Sequence, residues 1–157
     1  MDDKKIVIGS DDAAFEYKGV ITELLEKNGY QVEDLGIDSK DDKTVYPDVA
    51  ARVARAIIDS GFKKRGILIC GTGIGMAMTA NKFPGIRAAQ VHDVFSAERA
   101  ALSNDANIIT MGARVIGIEL AKKLVLAWLP LKFVPGSSTP KLEAIARIEK
   151  ENFKKRN

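Results

Sequence analysis

The only cysteine of this 157-residue chain stands at the end of an apolar run and opens a loop of alternating glycines: Gly66-Ile67-Leu68-Ile69-Cys70-Gly71-Thr72-Gly73-Ile74-Gly75. A strand of this kind delivers one thiol to a turn whose backbone N–H groups are unobstructed. That combination suits a reactive sulfur beside an oxygen that carries negative charge. The same residues also make an ordinary strand-to-helix turn with a core cysteine next to it. A phosphate P-loop would end in Gly-Lys-Ser/Thr, and Met76-Ala77 stands there instead. A dinucleotide fingerprint would follow the first strand with six-residue glycine spacing, which is absent.

Other side chains join the cysteine as candidates. N–H groups at a helix start favour a thiolate, and a thiolate works as a base as well as a nucleophile. A nucleophilic thiol needs a histidine partner, and His92 is the only histidine; its plain alternative is a surface or capping residue. Asp11 follows the first apolar run, either facing a ligand hydroxyl or capping a helix. Arg114 follows Gly112 and either holds a phosphate or is a surface arginine. Ser103-Asn104-Asp105-Ala106-Asn107 is either a turn or a sugar-reading loop.

Composition narrows the classes. Apolar residues make up 46% and charged residues 29%, with a net charge of +3, as in a single globular domain with a real core. Much of the excess charge sits in Lys154-Lys155-Arg156, a solvated helix end rather than a nucleic-acid surface. A single cysteine makes no internal disulfide and suits the cytoplasm. Met1-Asp2-Asp3-Lys4-Lys5 lacks the apolar core of a secretion signal, and no apolar stretch is long enough for a membrane span. One histidine and one cysteine, without clustered ligand spacing, argue against zinc.

The elements that must position these residues alternate. Lys5 to Gly9 reads as a buried strand, and Ser10-Asp11-Asp12 as a helix start. Ala14, Tyr17, Ile21, Leu24 and Leu25 recur at helical spacing, and Asn28-Gly29 ends that helix. Tyr30 to Leu35 alternates as a strand, and Gly36 to Lys43 is a loop. Pro47 opens a helix with Val49, Val53, Ala56 and Ile57 on its core face. Gly66 to Cys70 is the third strand, followed by a helix over about 74–82. Gly85 to Ala89 is a fourth strand, Phe95 to Leu102 a helix, Asn107 to Met111 a fifth strand, and Val115 to Trp128 a helix. A last helix spans about 140–154 after Pro130, Pro135 and Gly136, and leaves the pattern to pack on a partner subunit. The order predicts a parallel sheet covered on both faces, with ligands at the carboxyl ends of the strands.

Cys70-Gly71-Thr72-Gly73-Ile74-Gly75 with Ala80-Asn81-Lys82, Gly85-Ile86-Arg87-Ala88, Asn104-Asp105-Ala106-Asn107 and Gly112-Ala113-Arg114-Val115-Ile116-Gly117 resemble the type B ribose-5-phosphate isomerases. That family also includes galactose-6-phosphate isomerase subunits. Gly9-Ser10-Asp11, Tyr46-Pro47 and Glu143-Ala144-Ile145 fit as well, so the resemblance covers nearly all of the chain. It implies one sugar-phosphate isomerase domain over 1–157, built as a three-layer α/β/α sandwich on a Rossmann-like five-stranded parallel sheet. It implies a homodimer or dimer of dimers with active sites at the subunit interface, and no metal or organic cofactor. Aldose and ketose phosphates would interconvert through a cis-enediolate. Cys70 would be the base, while Thr72 and the N–H groups of Gly71, Gly73 and Gly75 would hold the enediolate oxygen. Asp11 and Asn104 would bind sugar hydroxyls, Tyr46 would line the site, and Arg114, from the partner subunit, would bind phosphate.

Three positions depart from the resemblance. A histidine that helps open the sugar ring is replaced by Ser103, which has no titrating group near neutrality. Asp12 replaces a histidine near the phosphate and brings a repelling charge. Two phosphate-clamping arginines become Ser137 and Lys141, and lysine lacks the bidentate fork. The expected reaction is ribose 5-phosphate to ribulose 5-phosphate. Alternatives are a tetrose 4-phosphate, whose esterified O4 prevents a five-membered ring, a hexose 6-phosphate, a sugar-phosphate-binding paralogue with little activity, and a thiol-dependent hydrolase.

Overall fold

The computed structural model describes residues 4–154; the charged ends Met1-Asp2-Asp3 and Lys155-Arg156, read above as no secretion signal and as a solvated tail, lie outside the described residues. Strand β1 (Lys5–Ser10) passes through a 3-10 turn (Asp12–Ala14) into α1 (Phe15–Lys27). Then come β2 (Gln31–Asp34), α2 (Tyr46–Asp59), β3 (Arg65–Cys70) and α3 (Ile74–Ala80). The chain finishes with β4 (Ala88–Gln90), α4 (Val94–Leu102), β5 (Ile108–Gly112), α5 (Ile118–Trp128) and α6 (Thr139–Asn152). The strands form one parallel sheet in the order β2-β1-β3-β5-β4.

Period-two alternation splits the buried side chains between two cores. Ile6, Ile8, Ile67, Ile69, Ile109 and Met111 face α1, α4 and α5, around the fully buried Trp128. Val7, Leu68, Cys70 and Ile108 face α2 and α3. The three-layer sandwich read from the sequence is therefore the observed architecture, and Cys70 belongs to the α2/α3 layer. The core face of α2 includes Ala50 and Ala54 besides Val49, Val53 and Ile57, while Ala56 is only partly buried.

Two boundaries differ from the sequence reading for identifiable reasons. β4 starts at Ala88 because the preceding residues are bound elsewhere: Asn107 takes Arg87 N–H on Oδ1 (2.8 Å) and donates from Nδ2 to Gly85 O (2.8 Å). α5 starts at Ile118 because the N–H groups of Val115 and Ile116 both turn back to Gly112 O, and Tyr17 Oη donates to Ile116 O at 2.8 Å. Helix α6 buries no residue completely and is tied to the rest by Glu149, which accepts from Gly85 N–H at 2.9 Å.

The strand order creates a switch point. From β1 the chain goes to β2 on one side and returns to β3 on the other, so the loops after β1 and β3 diverge over one crevice. The register fixes their height: Ser10 pairs with Ile69, and Cys70 with Gly112. The 35–45 loop beside this crevice is fastened by buried Lys18, whose ammonium donates to Ile37 O and lies 2.9 Å from Asp34 Oδ2. Lys18→Met leaves that carbonyl unsatisfied. The expected outcome is a loss of roughly 1–3 kcal/mol in denaturant unfolding and faster amide exchange confined to 35–45.

Candidate active site

The loop after β3 has its carbonyls pulled inward. Cys70 O accepts from Ala113 N–H (2.8 Å) and Gly71 O from Arg114 N–H (3.0 Å). Thr72 O accepts from Gln90 Nε2 (2.6 Å), and Gly73 O from the Thr110 hydroxyl (2.8 Å). With the carbonyls fixed, the N–H groups turn outward. Gly71 and Gly75 N–H have no acceptor among the described residues; Gly75 lies in the first turn of α3, and Gly71 precedes its N-cap Gly73. Gly73 N–H is used differently and donates to Cys70 Sγ at 3.1 Å, a bond that negative sulfur accepts more strongly than neutral sulfur. Cys70 is 5% exposed.

Two glycines are dictated by close approach. Gly73 has φ +77°, and a Cβ there would sit 2.9 Å from the Met111 backbone. A Cβ on Gly75 would lie 2.3 Å from the Tyr46 ring, so Tyr46 packs directly on the start of α3. Thr72 is exposed, and its Oγ1 accepts from Ile74 N–H at 3.3 Å.

The neighbouring loops complete this end. Asp11 caps the 3-10 turn, accepting Ala13 N–H at 3.1 Å, so it fills the capping role and still stands at the crevice. Burial raises its carboxyl above the usual range, Asp12 raises it further, and Arg114 works in the opposite direction. Asp12 Oδ2 lies 3.5 Å from Lys43 Nζ, which partly offsets its charge. Arg114 lies over Gly71, with Cδ and Nε 3.4 and 3.5 Å from the position of a Gly71 Cβ. Arg114 thus packs on the loop of its own chain. His92 does not pair with the thiol: its Nε2 accepts Gly112 N–H at 3.0 Å, which places the ring proton on Nδ1. The thiol–imidazole couple of a hydrolase is not assembled.

Ser103, Asn104 and Lys141 lie elsewhere. Ser103 and Asn104 follow α4 and precede β5, at the amino end of the sheet, whereas Cys70 is level with the last residue of β5. The five residues of β5 separate the two ends by about 16 Å. The Ser103 hydroxyl accepts from Arg99 Nε at 2.7 Å. Asn104 is exposed, Lys141 is exposed in the first turn of α6, and Asp105 is paired with Arg87 at 2.8 Å. Within one chain, therefore, Ser103 and Asn104 do not meet Cys70.

Comparison with known proteins bears on both halves. The sequence model of one family, Ribose/Galactose Isomerase, matches residues 6–145. The chain belongs to that family. Among its relatives, D-erythrulose-4-phosphate isomerase of Pectobacterium atrosepticum is 52% identical over 144 residues, covering 92% of this chain and 94% of the relative. Ribose-5-P isomerase B of Listeria innocua is 50% identical over 149 residues, covering 94% and 99%. The solved structure of Clostridium thermocellum ribose-5-phosphate isomerase B superposes with a TM-score of 0.89 at 40% identity, covering 94% of this chain and 99% of that one.

Family membership bears out the resemblance read from the motifs, but several residues that hold the site in this ribose/galactose isomerase fold carry no motif. Thr110 had a signal: it is a lone hydroxyl in the apolar run Ile108-Ile109-Thr110-Met111 and is fully buried. Gln90, Lys43 and Arg99 had none, because each acts through a contact distant in sequence or on a face that looks solvated. Asp11 yields a test with a definite sign. A carboxyl raised in the folded state favours folding when protonated, and that contribution is lost as pH rises through its folded range. Asp11→Asn keeps the cap oxygen and removes the buried charge. The expected outcome is a melting temperature equal to or above wild type at neutral pH, a gap that closes as pH falls through the carboxylate range, and reduced turnover.

Proposed function

We propose that this chain is an aldose–ketose isomerase of short sugar phosphates, working through a cis-enediolate with no metal or organic cofactor. The reading rests on one juxtaposition: a buried sulfur held by Gly73 N–H, next to outward N–H groups of Gly71 and Gly75 at the switch-point crevice. Cys70 takes a proton from the carbon beside the carbonyl. The C–H electron pair becomes the C1=C2 bond, and the carbonyl π pair moves onto oxygen. Return of the proton to the other carbon, with transfer of the hydroxyl proton between the two oxygens, completes the exchange. The N–H donors and the Thr72 hydroxyl face the oxygen where charge develops, and one such donor is worth roughly 2.7–4 kcal/mol. Tyr46 walls the crevice, Asp11 takes a substrate hydroxyl, Asp12 borders it, and Arg114 attracts the phosphate.

A second copy of the chain completes the site by bringing Ser103, Asn104 and Lys141 over the first copy's crevice. Exposed apolar side chains support this. Ile74, Met78 and Phe95 surround the catalytic end, and Ile145, Ile148 and Phe153 of the α6 region border an apolar cavity of about 510 Å³ along the edge strand β4. The assembly is a homodimer, alone or paired into a dimer of dimers, with α6 reaching the partner. The enzyme works in the cytoplasm, which suits its one unpaired cysteine. No helix among the described residues is long and apolar enough to cross a membrane.

Ser103 favours a tetrose 4-phosphate, erythrulose or erythrose 4-phosphate, as substrate. Ser103 has no titrating group near neutrality and Asp105 is paired with Arg87, so neither replaces the ring-opening histidine, and a tetrose 4-phosphate has no five-membered ring to open. Ribose 5-phosphate is the second reading, supported by the name of the Listeria relative. The deciding measurement is kcat/KM for both sugars side by side. A higher value for erythrulose 4-phosphate is expected, and a strong preference for the pentose overturns the tetrose assignment. Cys70→Ala should lower kcat by about 10²–10⁴-fold; unchanged turnover would remove the thiol from the chemistry, and binding without turnover in wild type would identify a binding paralogue. Two-copy sites predict complementation: mixing inactive Cys70→Ala with inactive Asn104→Ala restores about a quarter of wild-type activity when copies exchange at random, measured after mild dissociation and reassociation.

A further inference from the structure

We infer that Arg99 is the residue that selects a phosphate-bearing substrate at the amino-end half-site. The inference rests on the two-copy isomerase reading above. Arg99 and Ser103 are four residues apart on α4 and share one helix face. Arg99 Nε donates to Ser103 Oγ at 2.7 Å, and Nη2 donates to the same oxygen. Of the five N–H donors of a guanidinium, three remain. Among the described residues no carboxylate pairs with Arg99, whereas Arg87 is paired with Asp105 and Arg147 with Glu151.

The free side of Arg99 faces a cavity of about 340 Å³ that it lines with Leu102, Pro135, Gly136, Ser137 and Ser138. No acid lines that cavity, and two serine hydroxyls do. The wall is held in place by Val134 N–H on Leu102 O (3.3 Å) and Gly136 N–H on Thr139 Oγ1 (2.9 Å). An uncompensated planar fork opposite hydroxyls recognises a tetrahedral oxyanion with several terminal oxygens, which is a phosphate monoester. Ser103, accepting from Arg99, turns its own proton outward as a donor. The half-site thus has charge and hydroxyls but no base, while the Cys70 half-site has the base. In a joined site the sugar carbonyl lies at Cys70, and the phosphate drawn in by Arg114 is held by Arg99.

The test uses the full-length protein and four variants, Arg99→Gln, Arg99→Met, Arg99→Lys and Ser103→Ala, with the sugar phosphate that wild type turns over and inorganic phosphate as competitive inhibitor. Arg99→Gln and Arg99→Met are expected to raise both KM and the phosphate inhibition constant about tenfold or more, with kcat changed far less. Arg99→Lys should recover part of the loss, and Ser103→Ala, which removes one hydroxyl donor but keeps the charge, should weaken phosphate inhibition far less than Arg99→Gln does. Unchanged phosphate inhibition in Arg99→Gln or Arg99→Met overturns the assignment. Equal losses in Ser103→Ala and Arg99→Gln also overturn it, since Arg99 would then only position Ser103. A wild type inactive on every sugar phosphate overturns the isomerase reading alone; calorimetric titration of inorganic phosphate into wild type and Arg99→Gln then decides the role of Arg99.

Discussion

The pairing of β3 with β5 governs the site. Because Cys70 is level with Gly112, the segment 110–114 can receive the carbonyls of Cys70, Gly71 and Gly73, while Gln90 from the edge strand receives that of Thr72. A peptide group whose carbonyl is fixed on one side presents the next N–H to the other. The anion-binding character of the loop is thus produced by hydrogen bonds on its far side. His92 reinforces the same frame by holding Gly112 N–H. A slip of one residue between β3 and β5 would turn the thiol to the opposite core and undo every one of these bonds.

The same sheet that builds the carboxyl-end crevice keeps the other polar group away from it. Strand length sets that separation, and no side chain spans it. A reaction using both groups at once would draw them from two chains, as in the proposed assembly. On the proposed reading, proton transfer sits on a rigid strand end, whereas substrate selection falls to the end of α4 and the turn before α6.

Much of this is legible in the sequence because it depends on local rules. Alternation in Ile6-Val7-Ile8 and Ile67-Leu68-Ile69 specifies two-sided burial, and the glycines after Cys70 mark a turn whose backbone must come close to its neighbours. The capping role of Asp11 follows from its place after β1. Three things are hidden. The sequence does not say that Gly73 N–H binds sulfur instead of facing the crevice, because that depends on φ +77° at Gly73. It does not show that Arg114 folds over Gly71 of its own chain. Nor does it show that Ser103 and Asn104 lie far from Cys70, because the residue types of a motif carry no information about which end of a strand they occupy. Periodicity also starts β4 three residues early, because the side chain of Asn107 competes for the backbone of Gly85 and Arg87.

Cys70 is almost wholly enclosed, in the same packed cluster as Val49, Met76 and Ile86. Thiol–disulfide exchange requires a bulky disulfide to approach the sulfur in line, and a cysteine only 5% exposed disfavours that approach. The packing that places this thiol in the core thus also limits which oxidants can reach it.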